Sequence, residues 1–317
     1  MKHIRIGIPR GLLFYSYAES WTRFFRDLGC EAIHSPETTA DILKEGIRHT
    51  VSDLCLPVKT FLGHVAILKD SVDLLFIPRH VSMEQESYMC PKMIGLPDMT
   101  RACFANLPMV LDPLFHVKQF GDKAIDEFTR PVAEALSVSP SRAADAYRKH
   151  MNHHAEVPAE QHRRSERLLT ENGAVPRSSG KMNIGIIGRP YLLFDRYLSK
   201  NLFHVARKLG ANPVSLRPDE TEIREAMAVI PKWVYWDMGK EVVASAYVFF
   251  KDDRIDGVIN VCSATCGPDS FTGDLIRKRL NRQNKPYMAL SIDEHASDAG
   301  IQTRMEAFID MIAKVTA

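Results

Sequence analysis

The sequence predicts an α/β protein: two Rossmann- or flavodoxin-like parallel-sheet lobes, related by internal duplication and joined by a helical segment. Three observations predict it. Residues 4–14, IRIGIPRGLLF, are echoed by residues 183–194, NIGIIGRPYLLF. In each half, strand-length apolar segments alternate with segments of helical spacing. Two near-continuous apolar runs, VDLLFIP (72–78) and IDGVINV (255–261), have the composition of strands buried on both faces.

The elements follow in matched order. Each half opens with a short β-branched strand, a Gly and a Pro-bearing turn into a helix. Both helices stop at Leu-Gly, Leu28-Gly29 and Leu209-Gly210, where Gly accepts the left-handed conformation past a helix end. Second strands follow at Glu31 to His34 and Pro213 to Leu216. ETTADILKEGIRHT and DETEIREAMAVI then carry helical spacing, as do VKTFLGHVAIL and KEVVASAYVFF. The buried runs come next, and LPMVLDP (107–113) and KPYMALSID (285–293) are the last strands. Residues 116–180 differ, being rich in Lys, Arg, Glu, Ala and His, with helices expected at about 118–135 and 140–170. Ser139-Pro140-Ser141 is a helix start, and NGAVPRSSGK is a hinge. The expected domains are an N-terminal lobe at 1–115, a helical linker at 116–180 and a C-terminal lobe at 181–317. In open α/β sheets the ligand crevice lies outside the carboxyl ends of the strands, so the expected site is a cleft where the two sets of ends face each other.

Composition narrows the function. The 317 residues are 45% hydrophobic and 25% charged, ordinary for a soluble protein. A net charge of +2 gives no support to bulk polyanion binding. No apolar run reaches the roughly 20 residues of a membrane span, and the N-terminus reads as a strand and turn rather than a signal peptide. A cytoplasmic protein is expected, in which the six cysteines would be reduced thiols, serving as packing, ligands or reactive groups.

Cys55 lies in VSDLCLPVKTF, where Ser52 or Asp53 could cap the next helix and put the thiol near its N-terminus. Cys90 lies in a polar loop after the strand 72–78. Cys266, in CSATCGPDSF, follows the matching strand of the second half, with Asp269 or Ser270 as a helix cap. All three fall at the expected cleft mouth. Cys262 is read as a fourth ligand, a neighbour of the site, or packing; Cys30 and Cys103 are read as packing. Three thiolates from separate loops suit an iron–sulfur cluster with an open iron, or zinc with a fourth ligand; paired CxxC spacing is missing.

Taken together, IGIPRGLLFY, DLCLPVKTFLGH, FIPRHVSMEQESYMCPKMIGLPD, CGPDSFTGDLI and DEHASDAGIQTRMEAFIDM resemble the acyl-CoA dehydratase activase-related proteins. These are relatives of the cluster-bearing subunits of 2-hydroxyacyl-CoA dehydratases and of double-cubane cluster proteins. The resemblance implies an oxygen-sensitive protein of anaerobic metabolism with a [4Fe-4S] or double-cubane cluster in the interlobe cleft. It implies low-potential electron transfer from an ATP-hydrolysing activase of the sugar kinase/Hsp70 fold, reductive or dehydratase-type chemistry, and a homodimer. The cysteines matching the family pattern are Cys55, Cys90 and Cys266. Relatives often read G-C-G-P-D-S at the last, where this chain has T-C-G-P-D-S with the added Cys262.

Glu84 and Glu86, with Tyr88, share the Cys90 loop and are candidates to hold a proton or substrate beside the cluster; a solvated loop is the plain alternative. Arg79 and His80 could contact an anion or form a rim ion pair. Lys59 and His64 follow Cys55, and a lysine near a thiolate stabilises its charge. Asp293, Glu294 and His295 end the last strand. His150, His153 and His154 read as a solvated helix face. There is no GxxxxGK[ST], no GxGxxG after either first strand and no GxSxG, which argues against ATP hydrolysis by this chain, an ordinary NAD site and a serine nucleophile elbow. Three functions follow: a redox enzyme component fed by an activase, a non-catalytic iron–sulfur relay or scaffold, and a metal-free two-lobed small-ligand binding protein.

Overall fold

The computed structural model describes residues 4–151, 182–230, 234–281 and 284–316. The chain divides into two compact units: Met1–Ala155 with Tyr235–Asp237, and Glu156–Val234 with Met238–Ala317.

The first unit holds strands β1 (Arg5–Ile8), β2 (Glu31–His34), β3 (Leu74–Phe76) and β5 (Met109–Leu111) in a parallel sheet of order β2-β1-β3-β5. Helices α1 (Phe14–Asp27), α2 (Ala40–Arg48) and α3 (Leu56–Leu68) make the crossovers. Helix α1 ends at Gly29, whose φ of +85° is the left-handed stop the Leu-Gly signal predicts. Thr39 caps α2 by accepting from the Ile42 backbone N–H. At Pro78 and Pro113 the chain leaves β3 and β5 and resumes as β4 (Arg79–Ser82) and β6 (Leu114–His116), a second parallel pair. The sequence reading ended these strands at the prolines. Beyond β4 lie α4 (Pro91–Ile94) and α5 (Leu96–Cys103).

The core of this unit is aromatic. Phe25 and Phe76 meet at 4.8 Å between centroids, and Phe128 and Tyr147 at 4.7 Å. Phe128 and Tyr147 belong to α7 (Ala124–Leu136), which follows the single turn α6 (Val117–Phe120), and to α8, residues 140–151. The helices set apart by composition therefore pack on the first unit. Ser139 Oγ accepts from the Arg142 N–H at the start of α8, as its start signal predicts. His150 is buried against Asp27 at 2.8 Å rather than solvated, because α8 lies against the end of α1. His153, His154 and NGAVPRSSGK lie outside the described residues.

The second unit holds β7 (Asn183–Gly188), β8 (Asn212–Val214), β9 (Gly257–Ser263) and β10 (Tyr287–Ile292), all parallel, in the order β10-β9-β7-β8. Read from β8, this is the strand order of the first unit. The helices are α9 (Pro190–Leu193), α10 (Leu202–Lys208), α11 (Glu220–Ala228), α12 (Asp237–Lys251), α13 (Gly267–Leu275) and α14 (Asp298–Thr316). Asp219 and Glu222 form a reciprocal capping box on α11. Central β9 is buried almost throughout, whereas edge strand β10 is partly exposed, as a parallel sheet requires.

Helix α3 carries Cys55 at its start and is buried along nearly its whole length. It reaches α2 through paired glycines. A Cβ on Gly46 would stand 1.9 Å from the Lys59 carbonyl oxygen, and one on Gly63 2.0 Å from that of Ile42. Gly63→Ala should therefore destabilise the first unit by about 1–3 kcal/mol, the usual cost of forced overpacking. Denaturant unfolding followed by Trp21 fluorescence would read it.

His64, also on α3, is fully buried, with Nε2 on Thr38 Oγ1 at 3.0 Å. Burial, then the Arg10 charge, pushes its pKa down to about 3. The folded value lies below the unfolded one, so this contribution is complete above about pH 6.5 and is lost as pH falls toward 3. Its slope is at most about 1.4 kcal/mol per pH unit. His64→Gln should flatten the acid limb of stability against pH over that window. An unchanged limb would mean that other groups carry it.

Candidate functional site

Parallel strands deliver the chain to their carboxyl ends, where the following helix begins. Cys266 stands at such a beginning just past β9, Cys90 at a helix start beyond β4, and Cys55 at the start of α3, which follows α2. Cys55 is the N-cap of α3, with φ −69° and ψ 148° and Pro57 in the first turn. Cys90 is the N-cap of α4, with φ −66° and ψ 149° and Pro91 next. Cys266 is the N-cap of α13, with φ −99° and ψ 108° and Pro268 in the first turn. In all three the extended backbone turns the sulfur-bearing residue out of the helix, and proline sits where its missing N–H costs nothing. None of the three side chains caps its helix. The anticipated caps take other roles. The Ser52 carbonyl accepts from Lys59 Nζ at 2.8 Å, Ser270 Oγ donates to the Cys266 carbonyl, and Asp269 turns inward. The reason is local: the helices start at the residue after each Cys, too late for Ser52 or Asp53 and too early for Asp269 or Ser270.

Within the first unit, the Cys55 and Cys90 loops are tied together. Lys92 Nζ, two residues past Cys90, donates to the Asp53 carbonyl at 3.3 Å. The Cys90 loop is also strapped from behind by Tyr235–Asp237: the Tyr88 N–H donates to the Tyr235 carbonyl at 2.7 Å and the Asp237 N–H to the Tyr88 carbonyl at 3.1 Å. Asp237 takes hydrogen bonds from Ser87 Oγ and from the Met83 N–H. Glu84 and Glu86 are exposed, and Ser87 Oγ lies 2.9 Å from a Glu84 carboxylate oxygen. Arg79 takes the rim role, with Asp98 at 2.7 Å and Asp112 at 3.2 Å. His80 is buried among Tyr17, Trp21, Phe115 and Phe128 instead of reaching an anion. Asp293 accepts from the His295 N–H and shapes its own turn.

In the second unit, Cys262 lies within β9 and Cys266 just beyond it. Burial, then the Asp269 charge, pushes the Cys262 thiol up to about 11. Its sulfur faces the Leu290 carbonyl at 3.7 Å. Burial also raises Cys30 and Cys103. Beneath the Cys266 turn lies an ion pair that the sequence reading did not pick out, Arg189 with Asp269 at 2.9 Å, their side chains 3% and 7% exposed. Its signal was present: Arg189 in IGRP matches Arg10 in IPRG, at the end of each first strand.

Among the described residues no three His, Cys, Asp or Glu side chains form a metal-ligating group. The donor chemistry nonetheless fits a thiolate-bound centre: helix N-termini carry partial positive charge that suits anionic sulfur ligands. Cys55, Cys90 and Cys266 have that placement, and Cys30, Cys103 and Cys262 do not. Among the described residues no helix is long and apolar enough to cross a membrane.

Comparison with known proteins adds the family. Residues 5–217 match the CoA enzyme activase uncharacterised domain (DUF2229). Residues 208–312 match the 2-hydroxyglutaryl-CoA dehydratase, D-component. No curated protein matches the chain. Among solved structures, one likeness is to a crystal structure from Silicibacter pomeroyi DSS-3 titled, provisionally, as a phosphosugar isomerase. It is 10% identical, covers 98% of this chain and 85% of that one, and its TM-score of 0.21 is too low to carry a shared fold.

The Cys262 environment has a direct consequence. With a thiol near 11 against a usual 9, iodoacetamide at pH 8 should label Cys262 about a hundredfold more slowly than an ordinary thiol. Peptide mapping by mass spectrometry would read it.

Proposed function

Because the chain belongs to the activase-related, 2-hydroxyacyl-CoA dehydratase-like family, we propose that it is an iron–sulfur component of an activase-driven reductive or dehydratase system. Cys55, Cys90 and Cys266 are the cluster ligands in this reading. One observation carries it. The three cysteines that match the family pattern share one local geometry, an extended N-cap followed by a helix with an early proline. Cys55 and Cys90 fall inside the activase-domain match and Cys266 inside the dehydratase match.

A bound cluster of the [4Fe-4S] or double-cubane type supplies single-electron transfer at low potential. The chain's own residues do the rest. The Lys92 bond to the Asp53 carbonyl holds the two first-unit ligand loops in register. Helix N-termini lower the cost of gathering anionic sulfur. Glu84, whose carboxylate accepts from Ser87 Oγ on the Cys90 loop, is in this reading the group that holds a proton for a small substrate, with Glu86 on the same exposed stretch. Cys262, inside β9 with its sulfur facing the Leu290 carbonyl, is in this reading a neighbour of the site rather than a ligand. The electron donor is an ATP-hydrolysing activase of the sugar kinase/Hsp70 fold, and a homodimer in the cytoplasm is the expected working form.

The test is iron and acid-labile sulfide per chain in anaerobically purified protein, with EPR of the reduced form. About four iron per chain is expected for one cubane and about eight for a double cubane. Single Ala variants of Cys55, Cys90 and Cys266 should lose most of it, and a Cys262 variant should keep it. Wild-type protein that takes up no iron even on reconstitution would overturn the reading. Glu84→Gln should keep the iron and lower activase-dependent turnover at least tenfold, as loss of a proton-transfer group does.

A further inference from the structure

The buried ion pair under the Cys266 turn has no part in ligation, yet it occupies an expensive position. Arg189 follows β7 directly and occupies the N-cap position of α9, leaving its side chain free of any capping bond. Its guanidinium reaches Asp269 at 2.9 Å and Tyr191 Oη at 3.0 Å. Asp269 in turn accepts from the Ser263 N–H at 3.0 Å, and the Cys266 N–H donates to the Ser263 carbonyl at 3.1 Å. One carboxylate thus locks both ends of the 263–269 turn that presents Cys266. Arg189 Nε and Ser263 Oγ are buried beside it with no hydrogen-bond partner in the described structure. Burial works against the charge on Arg189, but Tyr191, Asp269 and Cys266 outweigh it and hold the guanidinium cationic. A permanent cation, nine-tenths buried, therefore sits where a sulfur ligand's charge is felt with little solvent screening.

We propose that Arg189 and Asp269 are positioning residues for Cys266, which fix its turn and set the reduction potential of the centre it binds. This rests on the cluster reading above. The guanidinium favours the more negative, reduced state, and the carboxylate opposes it. The two residues therefore carry opposite signs in the potential, although they share one structural role.

The experiment is an EPR-monitored redox titration of anaerobically purified wild type, Arg189→Gln, Arg189→Lys and Asp269→Asn, with iron content and circular dichroism of each. Arg189→Gln should lower the potential and Asp269→Asn should raise it. The expected change is about tenfold in the reduction equilibrium, or about 59 mV for one electron. Arg189→Lys, which keeps the charge, should stay near wild type and serves as the folded control. Shifts of the same sign in both charge-changing variants, or no shift in variants that keep their iron, would overturn this inference alone. Wild-type protein without iron would overturn the cluster reading and this inference with it. If Arg189→Gln and Asp269→Asn do not fold, the Arg189→Lys variant decides: a potential moved by tenfold or more in equilibrium would overturn the charge argument, and an unmoved one with intact iron would support it.

Discussion

Every strand in both four-stranded sheets runs parallel to its neighbours, and the placement of Arg189 and of the candidate ligand Cys266 follows from that one constraint. A parallel ladder cannot be closed by a hairpin, so each strand must hand the chain to a crossover. The crossover begins at the carboxyl edge of the sheet, where helix N-termini collect with unpaired N–H groups and partial positive charge. Cys266 and Arg189 occupy such beginnings in the second unit. Cys55 and Cys90 occupy helix beginnings in the first. Other prolines, Pro78 and Pro113, stand between β3 and β4 and between β5 and β6, and the β4–β6 pair carries the chain on toward the Cys90 loop.

Two opposing electrostatic effects sort the cysteines. Desolvation favours the neutral thiol, and it wins for Cys262 inside β9, where the nearby Asp269 charge adds to it. Four residues later the chain has left the strand, and Cys266 sits where a helix end supplies positive potential instead. Four residues of backbone thus separate a thiol kept neutral by burial from a candidate ligand.

The loops that carry these residues are held by few but specific bonds between segments distant in sequence. Lys92 reaches the Asp53 carbonyl, Asp237 takes Ser87 and the Met83 N–H, and Arg189 meets Asp269. The last is the most demanding. A buried pair contributes little net stability over a hydrophobic replacement, but removing one partner typically costs about 3–5 kcal/mol. Such a pair fixes geometry more than it adds stability, which suits a turn whose orientation matters.

The sequence by itself determined the α/β class, most element positions and the helix starts beside Cys55 and Cys266, while the helix that begins after Cys90 came from the structure. The former are local properties: near-continuous apolar strand runs and helical apolar spacing, Leu-Gly stops that the φ of +85° at Gly29 and +80° at Gly210 bear out, and Pro57 and Pro268 close after Cys55 and Cys266. Only the tertiary structure decided partners. The carboxylates on Arg79 lie 19 and 33 residues away, Asp237 lies 150 residues from Ser87, and Asp27 lies 123 from His150. No local pattern encodes those pairings, because they depend on where crossovers return the chain. For the same reason His80 looked like an anion contact and became part of an aromatic core, Asp269 looked like a helix cap and became the counter-ion of Arg189, and helix 140–151 looked like a linker and became a wall of the first unit.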